Sequence, residues 1–267
     1  MWYIISVNTD FLPSGGDVTV ALFASCGLID IHSHILFGTD DGAETIGESV
    51  EMLKLAEKQG VRNVFCTPHH WSLGIVNYEA NLALLREKVK AEGIGISLYE
   101  GMEILCDKRH LDGVVQDINN SAAKSLNGTD YVLVEMFPGM AAEEIFMCAE
   151  SVFERTGKKV ILAHVERYES LCCDSFMLAC LKELGCLFQI NAYSLVKESD
   201  GSIRGFARKL LSEKLVDFIG SDAHRMKHRP PDVSSAVRYI YENCDSAYAD
   251  AVCFGNAEKL FLQKEEQ

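Results

Sequence analysis

Positions 28–34 read LIDIHSH, an apolar run that ends in two imidazoles two residues apart. Side chains two apart on a β-strand point to the same side. The spacing therefore predicts a strand whose end brings His32 and His34 together and turns Ser33 away. The same design recurs outward along the chain: His69 closes VFCTPH, Glu103 lies in LYEGME, Glu135 in YVLVEM, His164 in VILAHVER, and Asp222 with His224 in FIGSDAH. Asp222 and His224 share a side around Ala223 by the same rule. Strands buried on both faces are nearly all apolar, and charged or imidazole groups at their ends are costly to bury unless paired or metal-bound. Taken singly, each of these residues reads more readily as a hydrogen-bonded core group. Eight of them at successive strand ends point instead to a polynuclear metal site and an enzyme.

The stretches between these runs have helical character. Strands are expected at 28–34, 63–67, 96–104, 131–136, 159–164, 186–191 and 216–220, with helices at 45–59, 78–92, 141–156, 203–213 and 232–243. Strands alternating with helices imply a parallel β/α architecture, and closing the sheet into a barrel gathers the strand ends at one mouth. The 267 residues, 48% hydrophobic, suffice for one domain with one large core; such barrels use about 250.

A formal net charge of −14 argues against non-specific nucleic-acid binding, which relies on clustered Lys and Arg. The chain has no run of about 18 apolar residues, so no membrane insertion is expected, and the expected location is the cytoplasm. Its ten cysteines include no CxxC pair, and Cys172 and Cys173 are adjacent, which is not the spacing of a zinc ribbon or a thioredoxin-like motif. Cys66, Cys148, Cys180 and Cys186 lie in apolar settings, where a free thiol acts as a small hydrophobe. A Cys-x5-Arg phosphatase loop is absent; Cys148 to Arg155 is one residue too long. Positions 1–27 contain VTVALFASC but no Lys or Arg, so they lack the basic start of a secretory signal. This leader is expected to be either an extra strand or a stretch upstream of a true start near Leu28.

The segments IDIHSHILFGTDDG, TPHH, GMEI, VLVEM, AHVERY, SDAHRMKHRPP and GNAEKL follow one another from Leu28 onward. In this order they resemble the polymerase and histidinol phosphatase superfamily. Within it, the chain is similar to the bacterial manganese-dependent tyrosine-protein phosphatases of capsule and exopolysaccharide operons. The resemblance implies a distorted seven-stranded β/α barrel over 28–267 that carries three divalent ions, manganese with iron or zinc as alternatives. It implies nine ligands: His32, His34, Asp41 (the second acid of DDG), His69, Glu103, Glu135, His164, Asp222 and His224, one of the glutamates bridging two ions. All nine positions carry the expected residue types, which disfavours a degenerate barrel. The NAYSL end of the sixth strand departs from the small polar residues and His usual there, which leaves substrate detail open. The implied partner is a phosphotyrosyl protein, the tyrosine-rich tail of a polysaccharide-export kinase.

Mixed imidazole and carboxylate ligands suit Mn²⁺, Zn²⁺ or Fe²⁺, and the absence of thiolates argues against a structural zinc. A metal lowers the pKa of a bound water to about 7, so hydrolysis needs no protein nucleophile. Arg167, three residues after His164, and Arg229, five after His224, are the candidate phosphate clamps, because guanidinium pairs bidentately with phosphate. An isolated arginine would otherwise read as a surface ion-pair residue. Glu166 and Asp30 share the strand parity of His164 and His32 and are candidates to orient ligand imidazoles; the alternative for Asp30 is a buried, hydrogen-bonded acid. His70 and Trp71 are placed at the mouth, although His70 reads equally as an exposed loop residue. Trp71, Tyr168 and Tyr193 are candidate neighbours of a tyrosyl ester, while His110 and His228 read as surface. Two other functions stand beside the protein phosphatase: a small-molecule phosphomonoesterase such as histidinol phosphatase, and a binding module whose metal is structural.

Overall fold

The computed structural model describes residues 27–70, 77–196 and 199–262. Positions 1–26 of the leader, and Trp71, lie outside the described residues. Among the described residues eight strands follow in chain order: β1 Leu28–Ser33, β2 Val61–Cys66, β3 Ser97–Glu100, β4 Glu103–Cys106, β5 Tyr131–Met136, β6 Lys159–Leu162, β7 Leu187–Asn191 and β8 Phe218–Gly220. Each pairing is parallel, in two sheets ordered β1-β2-β3 and β4-β5-β6-β7-β8. Helices separate the strands that pair with each other, as parallel crossovers require.

The expected third strand at 96–104 is two strands. Pairing changes at Gly101–Met102: β3 runs beside β2, and β4 beside β5. The Tyr78 hydroxyl occupies the break. It accepts from the Gly101 amide at 3.0 Å and lies 3.1 Å from the carbonyls of Cys66 and Gly101. Eight segments thus stand where seven strands were expected, and they form two sheets.

Two single bridges link the sheets, Ser33 with Ala223 and His69 with Glu103. At the first, His34 N donates to Ala223 O and Asp222 N to His32 O, both at 2.8 Å. At the second, Glu103 N donates to Pro68 O at 3.1 Å and His70 N to Glu103 O at 3.0 Å. Both seams run through the residues that interrupt the apolar pattern.

The helix Ile46–Lys58 begins where the Thr45 side chain accepts from Glu48 N, and it buries Val50, Met52, Leu53 and Ala56 on one stripe. Helix Ala142–Thr156 buries Ile145, Cys148, Ala149 and Val152 and stops at Gly157, whose left-handed conformation terminates helices. Helices Leu111–Asn119 and Ser175–Glu183 were not anticipated. A compact apolar cluster takes Ile29, Ile31, Phe65, Leu133, Ile161 and Phe218 from five strands; Ala257 and Leu260 of the helix Asn256–Leu262 join it. No described helix is long and apolar enough to cross a membrane. The described cysteines are free.

Candidate metal centre

Glu103, at the start of β4, is the hub. Its Oε1 lies 2.9 Å from His164 Nε2 and 3.3 Å from His32 Nε2; its Oε2 lies 3.0 Å from His69 Nδ1 and 3.2 Å from His34 Nε2. His32 and His34 converge, their Nε2 atoms 3.3 Å apart. Glu135 approaches His164 Nε2 at 3.5 Å and His69 Nδ1 at 3.9 Å. Asp222 Oδ1 lies 3.4 Å from His34 Nε2 and 3.5 Å from His32 Nε2. His224 stacks on His34, ring centroids 3.9 Å apart, and places Nε2 3.5 Å from the exposed Asp41 carboxylate. All nine residues expected as ligands therefore meet at one place.

Three overlapping groups have ligand atoms mutually within 4.8 Å: His34, Asp41, His69 and His224; His32, His34 and Glu103; His69, Glu103 and Glu135. His34, His69 and Glu103 each belong to two of them. This donor set of nitrogens and carboxylate oxygens, most of it buried and directed inward, fits divalent cations. Facing imidazole nitrogens repel unless a proton or a metal lies between them.

The electrostatics agree. Burial alone would push the His32 imidazole down, yet the Glu103 and Asp222 carboxylates raise it to about 9. Burial likewise opposes charge on His34, but hydrogen bonds to Asp222, Asp40 and Glu103 lift it well above the ordinary range. Burial works against ionisation of Glu103, and the surrounding imidazoles hold it well below the usual carboxylate range. Glu135 shifts up, through burial and the neighbouring Glu103 charge. His224 is pushed down to about 4 by burial and by the His34 charge. The centre attracts positive charge and already distributes it unevenly.

The groups that orient these side chains are largely ones the sequence reading passed over. Asp40 Oδ2 lies 2.6 Å from His34 Nδ1 and accepts from His69 N at 2.9 Å. Asp40 reaches them because the loop folds back tightly: a Cβ on Gly42 would stand 2.0 Å from the His34 carbonyl oxygen. Gln189, fully buried on β7, places Oε1 3.0 Å from His32 Nδ1 and accepts from His164 N at 2.8 Å. Its Nε2 donates to Asn191 Oδ1 at 2.9 Å, and Asn191 Nδ2 donates to Asp222 Oδ2 at 2.7 Å. Gln189 and Asn191 lie two apart on a strand otherwise apolar at its centre, the same signal that marks His32 and His34.

Two orienting assignments are corrected. Glu166 Oε1 accepts from Asn191 N at 3.1 Å and Ser194 Oγ at 2.6 Å, not from an imidazole. Strand parity fails there because β6 ends at Leu162 and His164 takes φ 33°. Asp30 takes its alternative reading: Oδ1 accepts from the backbone amides of Ser221 at 2.9 Å and His32 at 3.3 Å.

Arg229 Nη1 donates to Asp222 Oδ2 at 2.8 Å, and Arg167 Nη1 lies 3.5 Å from the same oxygen. Both arginines open onto a cleft of about 630 Å³, with Tyr193, Lys227, His228 and Asp232 also in its lining. His228, read as surface, is exposed but belongs to this wall. Tyr168 does not reach the mouth. It is buried, and its hydroxyl accepts from Met136 N and donates to Ala163 O, both at 2.9 Å. His70 turns to a different cleft, its Nε2 3.5 Å from Asp117 Oδ2, with His110 and Arg109 nearby.

Fold and centre together define the class: a parallel α/β protein whose strand ends gather an imidazole–carboxylate cluster suited to divalent metal. The family model for capsular polysaccharide synthesis proteins of the CpsB/CapC type matches residues 28–262, and the chain belongs to that family. It is similar to the putative tyrosine-protein phosphatase CapC of Staphylococcus aureus, 33% identical over 76% of this chain and 79% of that protein. Tyrosine-protein phosphatase YwqE of Bacillus subtilis is 32% identical over 87% of this chain and 91% of its own. A crystal structure from work on YwqE and on CpsB of Streptococcus pneumoniae, described as unique metal-dependent tyrosine phosphatases, superposes with a TM-score of 0.76 at 28% identity. That match covers 87% of this chain and 94% of the other.

Proposed function

We propose that this chain is a metal-dependent phosphatase that removes phosphate from tyrosine side chains of proteins. The observation that carries the reading is the pair of guanidinium groups set on Asp222, between the buried centre and the open cleft. His32, His34, Asp41, His69, Glu103, Glu135, His164, Asp222 and His224 would hold three divalent ions, manganese in first place with iron or zinc as alternatives. Glu103, with imidazoles beside both of its oxygens, would be central to this ligand set. β3 and β4 count as two halves of one strand, so that the two sheets form a single distorted barrel of seven strand positions, with residues from 28 onward as the catalytic unit.

Bound divalent ions supply Lewis acidity and an activated water for hydrolysis of the phosphoester. The protein contributes position. Asp40 and Gln189 occupy the Nδ1 atoms of His34 and His32 and leave both Nε2 atoms facing the centre. Arg167 and Arg229 keep further N–H groups for phosphate oxygens beyond the one each directs at Asp222. Tyr193, half-exposed on the cleft wall, offers a ring against which a tyrosyl group packs. The physiological substrate is the phosphotyrosyl tail of a polysaccharide-export kinase in the cytoplasm.

A small phosphate ester calls for a pocket whose polar groups surround the whole ligand, whereas this cleft has exposed walls at Tyr193, Lys227 and His228. kcat/KM for a phosphotyrosyl protein should therefore exceed that for histidinol phosphate at least about tenfold, or 1.4 kcal/mol of differential transition-state binding. The reverse ranking with the same enzyme and metal would move the assignment to a small-molecule phosphatase.

A further inference from the structure

We infer that the cleft contains a second, anion-selective subsite with Lys227 as its cation, which reads an acidic or phosphorylated residue beside the phosphotyrosine; this rests on the phosphatase reading. The turn after His224 is tightly fixed. Arg225 N donates to His228 O at 3.1 Å, His228 N to Arg225 O at 3.3 Å, and His224 N to Arg229 O at 2.9 Å. Its flanks are pinned as well. Arg225 pairs with Glu44 and donates from Nε to Asp41 O at 3.2 Å, and Arg229 is held on Asp222. Each of these arginines already has a carboxylate partner. Lys227, between them and exposed, forms no ion pair among the described residues.

The charge of this wall is out of character with the chain. Three cations, Arg167, Lys227 and Arg229, face the cleft against one acid, Asp232, in a protein whose formal net charge is −14. The two arginines are partly neutralised by Asp222, so Lys227 is the cation with charge to spare. A volume of about 630 Å³ lies within the 300–1,000 Å³ of pockets that enclose drug-sized ligands, more than a phosphate group fills. A fixed turn also loses little freedom on binding. The subsite's ligand is an anionic side chain, carboxylate or phosphate, on the substrate polypeptide.

The test uses the metal-loaded full chain and peptides that carry non-hydrolysable phosphonomethyl-phenylalanine flanked by Gln, by Glu or by a second phosphonate. Fluorescence anisotropy gives Kd for wild type, Lys227→Gln and Lys227→Glu. Wild type should bind the Glu-flanked peptide about three- to fivefold more tightly than the Gln-flanked one, the upper part of the range for an exposed ion pair. That ratio should fall to near one in Lys227→Gln and invert in Lys227→Glu. Whichever flank, carboxylate or phosphonate, shows the larger Lys227-dependent ratio identifies the anion. A wild-type ratio of one, or a preference that survives in Lys227→Gln, would overturn the subsite. Turnover of a Gln-flanked phosphotyrosyl peptide reports separately on the phosphatase reading, whose failure would leave the Kd ratio intact.

Discussion

Replacing Gln189 by Leu should weaken both the fold and the metal site. The amide is fully buried and joins His32 Nδ1, His164 N and Asn191 Oδ1 at 3.0, 2.8 and 2.9 Å. Leucine has similar bulk and none of these bonds, so three polar groups would lose their partner in the core. Each orphaned group costs about 1–3 kcal/mol, so even at the low end the loss reaches about 3 kcal/mol, a large part of the 5–15 kcal/mol that typically separates folded from unfolded. The same amide fixes the His32 tautomer and, through Asn191, the Asp222 carboxylate. Loss of such support lowers metal affinity by about 10- to 100-fold. Urea unfolding in chelator and calorimetric titration with Mn²⁺ measure the two effects separately. Gln189→Glu is the informative partner: an ionised carboxylate still accepts from His32 and His164 but cannot donate to Asn191, so it should retain more affinity than Leu. A folded Gln189→Leu protein that binds Mn²⁺ within threefold of wild type would refute the positioning role.

Chelation should abolish hydrolysis of phosphotyrosyl substrates and added Mn²⁺ should restore it; full activity in metal-free protein would remove the metal from the mechanism. In metal-free protein the His32 pKa is raised from 6.5 to about 9, with burial opposing and the carboxylates of Glu103 and Asp222 prevailing. Its stabilisation is therefore complete below pH 6.5 and lost as pH climbs through about 9. The urea midpoint in chelator should fall across that window while Mn²⁺ affinity, in competition with the same proton, rises; flat profiles for both would contradict the assignment. Tyr168→Phe should cost about 1–3 kcal/mol of stability and leave kcat/KM for phosphotyrosyl peptides within twofold, because the hydroxyl binds Met136 and Ala163 rather than substrate. Arg229→Lys keeps the charge and loses the fork, so kcat/KM should drop about tenfold or more, on the scale of a hydrogen bond to a charged group; a change under twofold would take Arg229 off the phosphate.

The strand ends are legible in the sequence because a His or Glu in an apolar run is conspicuous, and parallel β/α alternation carries such residues to one place. What escapes is set by backbone turns and uncharged groups. DDG offers two acids, and only the fold-back permitted by Gly42 decides that Asp40 holds His34 while Asp41 faces His69 and His224. Gln189 and Asn191 carry the two-residue spacing but no charge, so they read as ordinary strand residues. Parity misassigns Glu166 because the strand stops two residues before His164, and Tyr168, four residues past that turn, points inward rather than to the mouth. The break between β3 and β4 leaves no mark in LYEGMEI beyond a glycine, since the Tyr78 hydroxyl that fills it comes from elsewhere in the chain.

His164, Asp222 and Arg229 adopt φ of 33°, 50° and 62°, a region that costs most side chains about 1–2 kcal/mol and that glycine, and less readily Asn or Asp, tolerates. Three such residues at one site make the candidate centre a local stability deficit that the rest of the core must offset. Selection for thermal tolerance alone would then favour substitutions that relieve this strain while keeping the side chain's size, asparagine at Asp222 first. A campaign that screens variants by melting temperature should enrich those substitutions early and leave hardened proteins without turnover. Engineering of this chain for robustness is better directed at the outer helices, where its stability and its chemistry do not compete for the same residues.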